Sequence, residues 1–114
     1  MKPIITIITV TKNCASTIER TLKSIKSIKT IDIQYIVIDG VSTDETLEII
    51  SGYDDVVDIL VSEPDTGIYN AMNKGVMLAE GKYTIFLNGD DHLLAEGFNS
   101  ALNMLNTDAP EILS

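Results

Sequence analysis

Two adjacent carboxylates, Asp90 and Asp91, follow a short apolar run in Leu87-Asn88-Gly89-Asp90-Asp91. Like charges so close repel, and something must compensate. A divalent cation with oxygen ligands, Mg2+ or Mn2+, does so, with substrate phosphates completing its shell. Gly89 has no Cβ and lets the backbone approach a ligand closely. The competing reading is a solvated Asp-Asp turn that caps the next helix. His92 follows the pair. It reads either as a metal-site neighbour or general acid/base, or as an exposed loop histidine.

Two further segments carry polar groups that a packed core would not want. Asp39-Gly40 ends an apolar run. Its carboxylate suits hydrogen bonds from a ribose or a base, and the same dipeptide also suits a plain turn. Thr9-Val10-Thr11-Lys12-Asn13 precedes a helix start, and helix N-termini attract phosphate. Lys12 and Lys74 are candidate phosphate partners, or merely solvated. Neither G-x-x-x-x-G-K-[ST] nor G-x-G-x-x-G occurs, so this is neither a Walker loop nor a dinucleotide fingerprint. Cys14 is the only cysteine, which excludes an internal disulfide and a multi-thiolate zinc site.

The elements that must position these loops alternate. Ile4 to Val10 is β-branched throughout and suits a strand buried on both faces. Ser16 and Glu19 have capping-box spacing, and Ile18, Leu22 and Ile25 recur at helical spacing. Tyr35 to Ile38 forms a second strand. Ser42 and Glu45 form a second capping box before Leu47 and Ile50. Ile59 to Val61 is a third strand, and Ser62 to Gly67 a loop with strong turn chemistry. The spacing predicts a helix over Ile68 to Leu78, with Ile68, Met72 and Val76 on one face. Tyr83 to Leu87 is a fourth strand. A last helix carries Phe98, Leu102 and Leu105, and Glu111-Ile112-Leu113 is a stub of a fifth strand. This β-α-β-α-β-α-β-α order predicts an α/β fold: a three-layer, open, mainly parallel, Rossmann-like sheet. Ligands of such sheets bind beyond the carboxyl ends of the strands, where the polar loops gather.

The 114 residues suffice for one small domain, read as 1–114 without a linker or repeat. A net charge of −9 with only eight Lys and Arg argues against nucleic acid as partner. An anionic ligand remains possible through a divalent metal. No apolar run is long enough to span a bilayer, and the N-terminus does not read as a signal peptide. The expected location is cytoplasmic, at most at the inner face of the membrane.

Four motifs in register now resemble the family 2 glycosyltransferases of the GT-A fold. Ile7-Ile8-Thr9-Val10-Thr11-Lys12-Asn13 is similar to the strand-one signature that often reads P-T-Y-N. Ile36-Val37-Ile38-Asp39-Gly40-Val41-Ser42-Thr43-Asp44-Glu45-Thr46 resembles the V-I-D-G-G-S-T-D-G-T block. Val41 and Glu45 stand where that block has glycines. Ser62-Glu63-Pro64-Asp65-Thr66-Gly67-Ile68-Tyr69-Asn70-Ala71-Met72-Asn73-Lys74-Gly75 looks like S-E-P-D-x-G-I-Y-D-A-M-N-K-G of a bacterial polysaccharide-synthesis branch. Gly81 through Asp91 resembles the strand ending in the D-x-D metal motif, with Asn88 in place of its first Asp.

The resemblance implies a truncated N-terminal, nucleotide-sugar-binding portion of an inverting transferase. It implies nucleotide contacts at Thr9, Val10, Thr11, Asn13, Asp39, Gly67, Asn88, Gly89 and Asp90. It implies Mn2+ or Mg2+ on Asp90 with Asp91. The donor would be a nucleoside-diphosphate sugar, UDP-linked by preference, and the acceptor a glycan or lipid-linked hydroxyl. The general base would lie beyond Ser114. An incomplete sheet is expected to self-associate, as a homo-dimer. The alternative is a non-catalytic nucleotide-binding or regulatory α/β module. A phospho-acceptor receiver would need its acidic pair after strand one, where Thr11-Lys12-Asn13 stands instead.

Overall fold

The computed structural model describes residues 3–87. Strand β1 (Ile5–Thr11) leads to helix α1 (Ile18–Lys26), and β2 (Ile33–Asp39) leads to α2 (Thr46–Ser51). Then follow β3 (Ile59–Ser62), α3 (Ile68–Leu78) and β4 (Tyr83–Phe86). Among the described residues the strands form one sheet in the order β3-β2-β1-β4, and every pairing is parallel. This is the expected α/β architecture. The last helix, with Phe98, Leu102 and Leu105, and the stub at Glu111 to Leu113 lie outside the described residues.

The sheet reverses direction at β1. The chain steps outward through β2 and β3, then crosses back to place β4 on the other side of β1. Right-handed crossovers in opposite directions must pass over opposite faces. Helices α1 and α2 accordingly share one face, and α3 takes the other. Alternation along β1 follows: Ile5 and Ile7 pack into the α1/α2 core, Ile8 into the α3 core.

Each layer is held by apolar burial. On α1, Ile18, Leu22 and Ile25 are buried at helical spacing, while Lys23 and Lys26 in the last turn complement the negative end of the helix. A fully buried side chain of this size contributes about 1.5–3 kcal/mol. The α3 layer is tighter. A Cβ on Gly75 would come within 2.6 Å of Ile8 Cγ2, so the glycine is what allows α3 to sit so close to β1. Ala71 is fully buried beside it, while Val76 is half exposed. The buried face of α3 is therefore carried by its small residues, not by Val76.

The two predicted capping boxes do not form. Helix α1 starts one residue later than Ser16 suggests, with Thr17 at its cap and no side-chain cap bond. Helix α2 starts after Glu45, also without one. Ser42 instead donates its hydroxyl to Asp39, and its Oγ accepts from the Asn13 amide and not from a helix amide. Strand β2 is longer than Tyr35 to Ile38, because Ile33 and Gln34 pair with β1 as well. Gln34 holds the far end of the sheet together: its Oε1 accepts from the Thr6 hydroxyl at 2.7 Å and from the Glu80 amide at 2.8 Å.

Candidate nucleotide-sugar site

In an open sheet the ligand crevice lies at the carboxyl ends of the strands, where the strand order reverses. Here that point lies beyond the ends of β1 and β4, with β2 alongside. Thr11 and Asp39 are register partners at the ends of β1 and β2.

Asp39 is the hub. Its carboxylate is fully buried. Oδ1 accepts from the Thr11 hydroxyl and the Ser42 hydroxyl, both at 2.6 Å. Oδ2 accepts from the Ser42 amide at 2.8 Å and the Ser62 hydroxyl at 3.0 Å. Burial by itself would raise the Asp39 pKa, but the hydrogen bonds from Ser42, Thr11 and Ser62 outweigh it and hold the carboxyl below its usual range. The Glu63 amide adds a bond to the Asp39 carbonyl at 3.0 Å. One buried anion thus ties together the ends of three strands.

Beside it, the loops after β1 and β2 clasp each other. Asn13 has φ of 49°, the left-handed region that Asn tolerates. Its Oδ1 accepts from the Thr43 amide at 2.7 Å and the Asp44 amide at 3.3 Å, and its own amide donates to Ser42 Oγ at 2.9 Å. Asp44 accepts from the Thr46 amide and hydroxyl and from the Ala15 amide. It acts as helix-terminal charge, as its position suggests. The depression beside this clasp is lined by Asp44, Glu45 and Glu48, which repel an anion.

The candidate phosphate partners are engaged. Lys12 Nζ donates to the Gly40 carbonyl at 2.6 Å. Lys74 Nζ donates to the Pro64 carbonyl at 2.8 Å and pairs with Glu63 at 3.0 Å, which fastens the loop after β3 to α3. The α1 N-terminus is not open to phosphate either. The Thr17 and Ile18 amides donate to the Cys14 carbonyl, and Glu19 sits in the first turn. Burial pushes the Cys14 thiol up despite its hydrogen bonds, which works against a thiolate there.

The predicted contact residues divide. Thr11, Asn13 and Asp39 meet in one cluster. Val10 faces the α3 core and is partly buried. Thr9 is fully buried, and its hydroxyl accepts from Tyr35 Oη at 2.7 Å, so its side chain belongs to the core. Gly67, with φ of 135°, precedes α3 and donates its amide to Asp65. Asn88, Gly89, Asp90, Asp91 and His92 lie outside the described residues. Among the described residues no group of three or more His, Cys, Asp or Glu is arranged to hold a metal.

Sequence reading missed Ser42 and Ser62 as partners of Asp39. It also missed Asp65, whose Oδ2 lies 2.8 Å from where a Gly40 Cβ would be. The signal was present in part: a hydroxyl three residues after an Asp at a strand end can fold back onto it.

The sequence model of Glycosyl transferase family 2 matches residues 6–113. The chain belongs to glycosyltransferase family 2.

Relatives agree. A "PGL/p-HBAD biosynthesis glycosyltransferase" of Mycobacterium bovis is 38% identical over 94 residues, covering 80% of this chain and 37% of the relative. A putative teichuronic acid biosynthesis glycosyltransferase, TuaG of Bacillus subtilis, is 32% identical over 79% of this chain and 37% of its own. This family 2 chain therefore spans little more than a third of the relatives it matches. Among solved structures, S. aureus TarS 1-349 with UDP-GlcNAc superposes with a TM-score of 0.82 at 23% identity, over 90% of this chain and 31% of that one. The mannosyltransferase PcManGT of Pyrobaculum calidifontis, with GDP-Man and Mn2+, gives 0.78 at 24% identity, over 90% and 32%. Both share the fold, the GT-A type expected from the sequence.

Proposed function

We propose that this family 2 chain is the nucleotide-sugar-binding portion of an enzyme that moves a sugar from a nucleoside diphosphate to an acceptor hydroxyl, with inversion. The observation that carries the reading is the Asp39 hub, a buried carboxylate tying the ends of β1, β2 and β3 together beside the point where the strand order reverses. Thr11, Asn13, Asp39 and Gly67 line the nucleoside side of the site in this reading. Asp39 contacts a base only if one of its present donors gives way. Asn88, Gly89 and Asp90 complete the diphosphate side.

Asp90 with Asp91 would hold Mn2+ or Mg2+, which when bound neutralises the diphosphate and favours its departure. PcManGT was solved in complex with GDP-Man and Mn2+, which supports the reading. UDP-sugars are the preferred donors, in keeping with the complex of TarS with UDP-GlcNAc. The acceptor is a glycan or lipid-linked hydroxyl in cell-surface polysaccharide synthesis, in keeping with the biosynthetic roles for which the relatives are named. The reaction takes place in the cytoplasm or at the inner face of the membrane. Among the described residues no helix is long and apolar enough to cross a membrane. Copies associate through the apolar outer face of α3, where Tyr69 and Met77 are exposed.

Thermal melting with UDP and Mn2+ tests this. A ligand that binds only the native state raises the melting point by mass action. A rise that needs both ligands together, and that Asp90→Ala removes, supports the reading; a full response in Asp90→Ala overturns the metal assignment.

A further inference from the structure

Val41 sits in the left-handed region, with φ of 62°. A β-branched side chain is the residue type least suited to that conformation. The backbone on both sides dictates it. The Gly40 amide donates to the Thr11 carbonyl at 3.0 Å, and the Gly40 carbonyl accepts from Lys12 Nζ at 2.6 Å. The Ser42 amide and hydroxyl are both held by Asp39. Residue 41 is pinned between two fixed peptides and must turn left-handed.

That explains the backbone but not the side chain. Glycine fits this conformation without strain. Val41 belongs to neither core cluster, and 42% of it is exposed. Packing therefore does not account for a strained isopropyl group beside the Asp39 hub. Strain that neighbouring groups enforce, at an exposed position in a ligand site, points to function. Its surroundings narrow the ligand part. Asp39 and Asp65 are the nearby anions, the latter packed against Gly40. Asp39 is spent on its own four donors, and the Lys12 ammonium on the Gly40 carbonyl offsets Asp65, which leaves the isopropyl group as a surface for an uncharged, partly apolar body.

We propose that Val41 is a donor-binding residue whose side chain packs on the nucleoside, the ribose or the base, of the bound donor. The inference rests on the nucleotide-sugar reading above.

Two variants and two ligands test it in the full chain. Val41→Ala removes the isopropyl wall but keeps Cβ; Val41→Gly also removes the strain. Calorimetric titration with UDP and with GDP, in Mn2+, is expected to give Kd values about fivefold higher in both variants, the loss of roughly two partly buried carbons. Pyrophosphate binding is expected to be unchanged. Without ligand, Val41→Gly is expected to melt higher than wild type by roughly 2–6 °C, so stability and affinity move in opposite directions. Unchanged UDP and GDP affinity in Val41→Ala overturns the proposal, as does a loss confined to Val41→Gly, which would be a backbone effect. A lower melting point in Val41→Gly removes the strain on which it rests. Absence of nucleotide binding by the wild type is a separate result: it defeats the underlying reading and this inference with it.

Discussion

Thr11 donates its hydroxyl to Asp39 over 2.6 Å, joining the last residues of two adjacent parallel strands that are also register partners. The bond is buried and charge-assisted, and such bonds are about twice as strong as neutral ones. It fixes the separation of the β1 and β2 ends, from which the loops of the site depart.

Asp39→Asn is the direct probe of that hub. It removes the charge and turns an amide NH2 toward hydroxyl and amide donors. A loss of about 1–3 kcal/mol at pH 7 is expected from urea unfolding. The pH dependence has a definite sign. The Asp39 pKa is lowered in the folded state, so its stabilisation is fully present above the unfolded carboxyl value of about 3.9 and is lost as pH falls through the folded value. The gap between wild type and Asp39→Asn should hold from about pH 7 to pH 5 and shrink below about pH 4. A gap that persists undiminished into strong acid would show that the charge is not what matters.

Tyr35 and Thr9 form a buried hydroxyl pair across β1 and β2. Tyr35→Phe should cost about 1 kcal/mol, and adding Thr9→Val should return part of it, since removing both partners leaves no polar group stranded. Burial also raises the Tyr35 phenol despite the bond to Thr9. An alkaline absorbance titration of the native protein should show Tyr35 ionising above the usual phenol range, and Tyr35→Phe should remove that step.

Gly75→Ala puts a methyl group 2.6 Å from Ile8 Cγ2. Overpacking of this kind costs about 1–3 kcal/mol, against about 1 kcal/mol gained in helix propensity. Net destabilisation is expected in chemical unfolding. Combined with Ile8→Ala, the pair should cost clearly less than the sum of its parts. Strict additivity would mean that α3 moves away at little cost.

Self-association should be visible by gel filtration as a concentration-dependent shift. Met77 is 86% exposed on the outer face of α3, and Met77→Glu should reduce the shift. A single monomeric peak at every concentration would rule the dimer out.

Asn13→Ala should loosen the clasp between the loops after β1 and β2. It removes the acceptor for the Thr43 and Asp44 amides and leaves a residue less suited to a φ of 49°. A loss of about 1–2 kcal/mol is expected in thermal or urea unfolding, with Asn13→Gly costing less because it restores the backbone freedom. Equal losses would show that the side-chain bonds alone matter.

The element order from β1 to β4 and the kind of sheet were legible in the residues themselves. The β-branched run in β1 and the apolar periodicity of α1 carry local instructions that packing did not override, and the predicted span Ile68 to Leu78 is that of α3. Thr11, Asn13 and Asp39 were likewise located at the strand ends and the loops that leave them. What those groups do emerged only on folding. Whether Ser42 caps a helix or holds a carboxylate depends on a buried anion three residues away being deprived of water. Whether Thr9 faces ligand or core depends on which face of β1 the Tyr35 hydroxyl reaches. The closeness of α3 to β1 depends on a glycine of the third helix meeting an isoleucine of the first strand. Periodicity is a property of each segment alone; the partners of a buried polar group are chosen only when the segments meet.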